Sequence, residues 1–211
     1  PSAFSLITHH KIRMKDPELD PHRTRECLYV CGVLGGTDTL HLVVNHWKSR
    51  SGGTEKTEPL RLAYARVIRK LTDSILAARP HAAIILMGDF NDTPENVSLQ
   101  TTLGVQNTTE APAWDHLYNL TAAVAESGEG SHYYKSWEMF DQIIVSGALL
   151  KGTSTGLHSK PQARPFKRPW MLYKNSSGQM VPDRTYNNGK YYGGYSDHLP
   201  VTLQLVRGAK K

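Results

Sequence analysis

Residues 84–92, with the sequence IILMGDFND, constrain the fold of this chain more than any other stretch. Four apolar residues end at Gly88, and Asp89, Asn91 and Asp92 then follow within four positions. This pattern predicts a buried strand that delivers polar side chains to the edge of a sheet. Carboxylate and amide oxygens suit a hard cation such as Mg²⁺. The alternative interpretation is a core strand followed by an Asx-rich turn.

Length and composition narrow the class of protein. The 211 residues are enough for one domain with a sizeable core. No apolar run approaches the roughly 20 residues that cross a bilayer, so we expect no transmembrane segment and a soluble protein, cytoplasmic or exported. The formal net charge of +6 favours an anionic partner such as nucleic acid, a lipid headgroup or a phosphate ester. The oligomeric state stays open.

The two cysteines do not indicate a disulfide. Cys27 and Cys31 are four residues apart in a strand-like run, which separates them by about 13 Å. That distance is too long for an undistorted disulfide bond between them.

Hydrophobic periodicity predicts the remaining elements. Strands are expected over residues 4–14, 26–33, 39–46, 140–146 and 201–206, with a hairpin turn over residues 35–38. Helices are expected over residues 59–78, 93–103 and near 113–124. In the first helix the arginines, Arg61 among them, are expected on a solvated face. Residues 15–23 form a polar connection, and residues 152–195 form a long Pro- and Gly-rich loop of the kind that is usually functional.

Polar signatures recur where four of these strands begin or end. They are Asn45-His46, Gly88-Asp89-Phe90-Asn91, Asp141 and Ser196-Asp197-His198. If the strands present these ends to one edge of a sheet, aspartates, histidines and an asparagine meet in one pocket. A hard cation held by carboxylates polarises a phosphoryl oxygen, and an aspartate that orients a histidine stabilises the charged form of its ring. The set therefore favours phosphoester chemistry.

The ordered series of these motifs, closed by Ser196-Asp197-His198-Leu199-Pro200, resembles the endonuclease/exonuclease/phosphatase family. The resemblance covers essentially the whole chain. It implies an α/β (α+β) fold, a four-layer sandwich of two mixed sheets flanked by helices, with Mg²⁺ as cofactor and Mn²⁺ as the alternative ion. The family places an asparagine and a metal-ligating glutamate upstream of these motifs. We therefore expect residues 1–211 to be a single domain that corresponds to the C-terminal two-thirds of the family domain, without its N-terminal strands.

The same resemblance implies roles for individual residues. Asp197 and Asp89 correspond to metal ligands, Asn91 to the residue that positions water or phosphate with Asp89, and Asp141 to the partner of His198. His46 corresponds to a second catalytic histidine, with Glu26 as the acid that supports it. Arg25, Lys48 and Arg50 are the candidate substrate contacts, because an arginine fork matches phosphate oxygens.

Three functions stay open at this point. The leading one is a divalent-metal-dependent phosphodiesterase with nucleic acid as substrate, which the positive charge and His46 favour. The second is a phosphatase or sphingomyelinase-like hydrolase of a phosphorylated lipid or sugar, because a shared fold does not fix the substrate. The third is a truncated, non-catalytic binding module. Aromatic residues in 131–137 and tyrosines in 184–195 either line the substrate cleft or pack beneath loops.

Overall fold

The computed structural model describes residues 3–14 and 24–208, so the predicted connection over residues 15–23 lies outside the described part. Its core is a seven-stranded mixed sheet in the order β1-β2-β3-β4-β9-β6-β5. The strands of this sheet are β1 (Phe4–Ile12), β2 (Cys27–Leu34), β3 (Asp38–His46), β4 (Ala83–Asp89), β5 (Val105–Gln106), β6 (Leu117–Asn119) and β9 (Asp141–Ser146). β3 and β4 are parallel, as are β5 and β6, and the other neighbours are antiparallel.

Helix α1 (Thr54–Ala78) connects the parallel strands β3 and β4 and covers one face of the sheet. Ala63, Tyr64 and Ile68 of the helix pack in one buried cluster with Ile84 and Leu86 of β4. Ile85 belongs to a second cluster on the opposite face. The run of apolar residues in β4 is continuous because the strand is covered on both sides.

The second face is covered by short elements. They are helix α3 (Gly147–Lys151) and the two-stranded pairs formed by β10 (Leu157–Ser159) with β17 (Leu205–Arg207) and by β11 (Arg164–Pro165) with β16 (Val201–Thr202). A further short helix, α2 (Ala122–Glu126), follows β6. Leu149 and Leu157 join the buried cluster there, and Val201 and Leu205 pack against it. The predicted α/β class is confirmed, and the arrangement is consistent with the expected sandwich. The single-domain prediction for residues 1–211 stays a prediction.

The remaining elements are hairpins and single turns near the edge where β4 ends. They are β7 (His132–Tyr134) with β8 (Ser136–Glu138), β12 (Leu172–Lys174) with β13 (Met180–Pro182), β14 (Tyr186–Asn187) with β15 (Lys190–Tyr191), a π-helical turn (Ser98–Thr102) and a 3₁₀ turn (Pro169–Met171). Among the described residues, no helix combines the length and the apolar character that a membrane span requires.

Several sequence expectations need correction. Helix α1 starts at Thr54 rather than at 59, so Pro59 lies inside the helix, and Arg61 is fully buried rather than solvated. The helix expected over residues 93–103 is only the π-helical turn, and the one near 113–124 is instead strand β6 followed by α2. Cys27 and Cys31 are both free and buried, as expected.

Candidate active site

Three predicted site residues stand side by side at one edge of the sheet. His46 of β3 is in register with Asp89 of β4, and Asp89 is in register with Asp141 of β9. Residues paired in this way project their side chains from the same face. His46 Nε2 accordingly lies 3.5 Å from Asp89 Oδ2. The pairing of three strands, rather than a local motif, thus brings one histidine and two carboxylates together.

His198 completes this row from the loop before β16. Its Nδ1 forms a 2.5 Å hydrogen bond with Asp141 Oδ2. Ser131 fixes both partners: its carbonyl accepts the backbone N–H of Leu199 at 2.7 Å, and its hydroxyl accepts the backbone N–H of Asp141 at 3.0 Å. Burial alone would lower the pKa of His198, but the hydrogen bond and charge of Asp141, with nearby Asp89, outweigh burial and raise the pKa.

The turn after β4 holds Asp89 in a fixed position. Gly88 has φ 124°, and a Cβ there would lie 2.1 Å from the carbonyl oxygen of Asn45, so only glycine fits. Asn91 donates its backbone N–H to Asp89 Oδ1 at 2.8 Å and its side-chain amide to Asp89 Oδ2 at 3.0 Å. Burial and then repulsion from Asp141 raise the pKa of Asp89. In contrast, burial lowers the pKa of His46 despite the opposing charge of Asp89.

An ionic cluster supports this turn: it consists of the buried Asp92 and Arg61 and the partly exposed Arg50. Arg61 Nε lies 2.7 Å from Asp92 Oδ1, although its N–H does not point along a hydrogen-bonding direction. Asp92 also accepts Arg50 Nη2 at 3.0 Å and the Ser98 hydroxyl at 2.6 Å. Arg50 Nε donates to the carbonyl oxygen of Asn91 at 2.9 Å. Two arginines therefore hold the segment that carries Asn91 and Asp92.

One cavity of about 810 Å³ is lined by the strand-end residues and Arg50, together with Asp197 and with His132 and Glu138 of the β7–β8 hairpin. The structure therefore places seven of the predicted site residues around one cavity, and their roles stay predictions: His46, Arg50, Asp89, Asn91, Asp141, Asp197 and His198.

The donor chemistry of the cavity fits a hard cation. Two sets of side chains could hold a metal ion, namely Asp89, Asp141 and His198, and His132, Asp197 and His198. In each set the ligand atoms lie within 4.8 Å of one another. Carboxylate oxygens are what Mg²⁺ and Mn²⁺ prefer. A cation would also offset the burial and the repulsion that raise the pKa of Asp89.

Three predicted residues do not line the cavity. Asp89 provides a carboxylate beside His46. Glu26 pairs with Lys11 at 3.3 Å and Arg13 at 3.7 Å, and its predicted support of His46 stays a prediction. Arg25 donates to the carbonyl oxygen of Trp47 at 3.3 Å, and Lys48 is likewise absent from the lining.

Arg50 lines the cavity, but its donors also serve the protein. Besides Asn91 and Asp92, its guanidinium donates to Asn96 Oδ1 at 2.8 Å and to Glu138 Oε1 at 3.3 Å. Its predicted contact with phosphate stays a prediction. The contacts show that Arg50 positions the site in addition to any contact with substrate.

Sequence reasoning missed His132 and Glu138 as site residues. The His132 ring lies 4.7 Å from the His198 ring, and Glu138 bonds to Arg50. Both residues are placed by the β7–β8 hairpin, in which His132 is in register with Glu138. The turn of this hairpin is at Lys135, with φ 62°. Lysine does not mark such a turn in a sequence, so the pairing had no local signal.

A comparison with protein families matches residues 1–207 to the Endonuclease/Exonuclease/phosphatase family. The chain belongs to this family. The resemblance stated from the motifs is thereby confirmed, and the family indicates a hydrolase of phosphate esters. A search of curated protein sequences finds no match.

Solved structures of family-like proteins share the fold. The human Nocturnin catalytic domain with bound sulfate has 16% identity and a TM-score of 0.55, and the match covers 98% of this chain and 61% of that one. Truncated TDP2 of Caenorhabditis elegans has 17% identity and a TM-score of 0.53, with 94% and 65% covered. A mannosyl-6-phosphatase of Bacteroides thetaiotaomicron has 14% identity and a TM-score of 0.54, with 97% and 67% covered. This chain thus spans 61% and 65% of the first two structures, and these likenesses establish the fold rather than the substrate.

Proposed function

We propose that this protein hydrolyses phosphodiester bonds with the help of a divalent cation, and that nucleic acid is its substrate. The observation that carries the proposal is the row of His46, Asp89 and Asp141, with His198 bonded to Asp141, in one cavity. Membership of a family of nucleases and phosphatases supports the reaction class. The net charge of +6 supports an anionic polymer as substrate.

The two histidines have pKa values displaced in opposite directions, which is typical of an acid/base pair. Burial lowers the pKa of His46, so its ring is neutral near pH 7 and able to accept a proton from water. The pKa of His198 is raised mainly through Asp141, against the effect of burial, so its ring favours the protonated form. Because Nδ1 of His198 is engaged by Asp141, Nε2 is the nitrogen left for a phosphoryl oxygen.

The remaining residues orient these groups and hold the metal. Asp141 fixes the ring of His198, and Asn91 fixes both oxygens of Asp89. Asp89 and Asp197, which belong to the two different candidate ligand sets of this cavity, are the carboxylates that would hold Mg²⁺ or Mn²⁺. Such an ion supplies positive charge that polarises the phosphoryl group and stabilises the leaving oxygen.

The test is hydrolysis of bis(p-nitrophenyl) phosphate and plasmid DNA in Mg²⁺, Mn²⁺ or EDTA. We expect cleavage in the two metal ions and none in EDTA. His198→Ala should lower kcat by roughly 10²- to 10⁴-fold, the usual contribution of a positioned acid or base. The matched control is His9→Ala, since His9 is an exposed residue of β1.

Other outcomes separate the alternatives. Hydrolysis of p-nitrophenyl phosphate without cleavage of either diester would favour a phosphatase, the activity named for the Bacteroides neighbour. Vesicles containing sphingomyelin test the lipid-hydrolase alternative in the same way. If no phosphate ester is cleaved while calorimetry shows that Mn²⁺ binds, the protein is a non-catalytic module and the proposal is wrong.

A further inference from the structure

The segment of residues 160–195, which we call the basic-aromatic face, concentrates the positive charge of the protein. It contains seven lysines and arginines, and Asp183 is its single acid. Its formal net charge is therefore +6, which equals that of the whole chain. Six of these seven cationic side chains are exposed, and Arg184 is half-buried. The rest of the chain is close to neutral, so this face dominates the field that an anionic partner meets.

The same segment exposes aromatic rings. All seven of its aromatic residues are between 37% and 65% exposed: Phe166, Trp170, Tyr173, Tyr186, Tyr191, Tyr192 and Tyr195. Aromatic side chains ordinarily contribute to folding by burying their large apolar surfaces. Exposed rings that contact one another in pairs, Trp170 with Tyr195 and Tyr186 with Tyr191, instead mark a surface for a partner.

Hydrogen bonds fix the shape of this face. Asp183 donates its backbone N–H to the carbonyl of Met171 at 2.9 Å, and its own carbonyl accepts the N–H of Ser196 at 3.1 Å. Gly194 packs closely there, since a Cβ on it would lie 2.2 Å from the carbonyl oxygen of Asp183. The rings of Trp170 and Tyr195 contact each other edge to face, with their centroids 5.0 Å apart. The surface is therefore preorganised, which lowers the entropy cost of binding.

The basic-aromatic face continues directly into the catalytic cavity. Tyr195 is followed by Ser196, Asp197 and His198, which line the cavity. On the other side, Tyr134 lines the cavity and is 65% exposed. Lys167 lies 4.4 Å from the ring of Trp137 in the adjoining β8 strand, so the face and the β7–β8 hairpin are in contact. A polymer lying on the face would reach the phosphodiesterase site.

We infer that the basic-aromatic face binds single-stranded nucleic acid and leads the strand into the cavity. Unstacked bases stack on aromatic rings while lysines and arginines follow the phosphates. Cations already lie over rings within the face: Arg168 is 4.6 Å from the ring of Phe166, and Lys190 is 5.3 Å from that of Tyr192. A duplex would offer the phosphates but not free base faces. The inference rests on the proposed function, because it names the substrate of the same site.

A membrane surface fits the face less well. Insertion into a bilayer uses a broad apolar surface with aliphatic as well as aromatic side chains. Within residues 160–195, all of which the structure describes, Met180 is the one exposed large aliphatic side chain. The other exposed large side chains are aromatic or charged, which suits stacking on bases rather than burial in lipid.

Binding can be tested apart from catalysis by working in EDTA. Fluorescence anisotropy would measure the affinity for a labelled 15-nucleotide oligothymidine and for a duplex of equal length, and co-sedimentation would measure binding to phosphatidylserine vesicles. We expect the single strand to bind more tightly than the duplex. Tyr191→Ala should weaken strand binding by about tenfold, the usual effect of removing one stacking platform. Tyr191→Phe, which keeps the ring, should retain the affinity.

Charge reversal gives a second, independent readout. Lys190→Glu should weaken strand binding and reduce its dependence on salt, because fewer counterions are released. Lys70→Glu makes the same charge change on an exposed part of α1 and should leave the affinity near that of the wild type. Tighter binding to the duplex or to vesicles than to the strand, or equal loss in Tyr191→Phe and Tyr191→Ala, would overturn the inference.

Catalytic assays separate failure of this inference from failure of the proposed function. In Tyr191→Ala, the ratio of kcat/KM for the oligonucleotide to kcat/KM for bis(p-nitrophenyl) phosphate should fall about tenfold. If the small diester is cleaved but the ratio does not change, the face is not the strand-binding surface and the phosphodiesterase assignment stands. If the oligonucleotide binds but no diester is cleaved, the proposed function is wrong. The basic-aromatic face would then bind nucleic acid without delivering a substrate.

Discussion

The strand-end cluster and the basic-aromatic face adjoin each other but are built in opposite ways. By strand-end cluster we mean the cavity residues His46, Asp89, Asp141 and His198, with the ionic residues that support them, Arg50, Arg61 and Asp92. In the cluster, charged side chains are paired, and the supporting pair of Arg61 and Asp92 is buried, at 0% and 1% exposed. In the face, rings and cations are exposed, and the strands are only two or three residues long. The sheet holds the first region, whereas hairpins and turns hold the second.

The difference assigns separate physical tasks to the two regions. Chemistry requires side chains fixed within fractions of an ångström, and the register of β3, β4 and β9 provides that precision. Recognition of a flexible strand requires accessible rings and charges, which a buried core cannot provide. Substitutions in the cluster should therefore change stability, and substitutions in the face should change affinity.

The largest effect is expected from Asp92→Ala, which leaves the buried charge of Arg61 without its partner. Breaking a buried ion pair on one side typically costs about 3–5 kcal/mol. Urea denaturation would measure the loss in the free energy of unfolding. Activity should fall too, because Arg50 loses one of its anchors beside Asn91.

Asp73→Ala is the matched control for this substitution. Asp73 forms an exposed ion pair with Arg69 at 2.5 Å, one turn away on α1. Exposed pairs of this kind contribute about 0–1 kcal/mol. Equal losses of stability in Asp92→Ala and Asp73→Ala would show that the buried cluster does not support the site.

A smaller, pH-dependent effect on stability is expected from substitution of Asp38. This residue of β3 bonds to the chain both before and after the basic-aromatic face. It accepts the Thr153 hydroxyl at 2.6 Å and pairs with Arg207 at 2.7 Å. Burial alone would raise the pKa of Asp38, but hydrogen bonds from Thr153, Thr155 and Thr37, with the charge of Arg207, lower the pKa. The charged form of Asp38 therefore stabilises the folded protein fully above the pKa of an aspartate in the unfolded chain, about 3.9. This stabilisation is lost as the pH falls through the lower pKa of Asp38 in the folded protein.

The measurement compares wild type and Asp38→Asn by urea denaturation at several pH values. At pH 7 the wild type should be more stable by roughly 1.5–3 kcal/mol, the usual worth of hydrogen bonds to a charged group. The difference should shrink steadily below about pH 4. Asp115→Asn is the control: the hydrogen bond with His116 also lowers the pKa of Asp115, but this pair is exposed and screened by solvent, so the change in stability should be much smaller than at Asp38. A difference that grows toward acid pH would contradict the assignment.

The sequence predicted the elements whose signals are local. β4, its polar turn and His198 stand out because an apolar run, a glycine and short motifs mark them. Long-range pairing left no comparable signal. Arg61 lies one turn from other residues of the buried face of α1, but its partner Asp92 comes from the turn after β4, so periodicity alone assigned it to solvent.

Glu26 is a second residue whose long-range partners leave no signal in the sequence. The family resemblance implied that Glu26 supports His46, and the structure adds ion pairs between the Glu26 carboxylate and both Lys11 of β1 and the following Arg13. Strand β6 was missed because it is only three residues long and is buried between β9 and β5. In all three cases the deciding contacts join segments that are far apart in the sequence, and periodicity along one helix or strand contains no information on such contacts.

The smallest effect on stability is expected in the basic-aromatic face. Tyr186→Ala should change the free energy of unfolding by less than about 0.5 kcal/mol, as at most exposed positions. Tyr186 is 61% exposed and contacts mainly Tyr191 across its own hairpin, so few buried contacts depend on it. Tyr64 is the contrasting tyrosine: it is 1% exposed, stacks on Trp47 and donates its hydroxyl to the carbonyl of Arg25. Tyr64→Ala should therefore cost about 3–5 kcal/mol. If Tyr186→Ala also costs several kcal/mol, its ring belongs to the structural core, and the division between a stabilising cluster and a binding face does not hold.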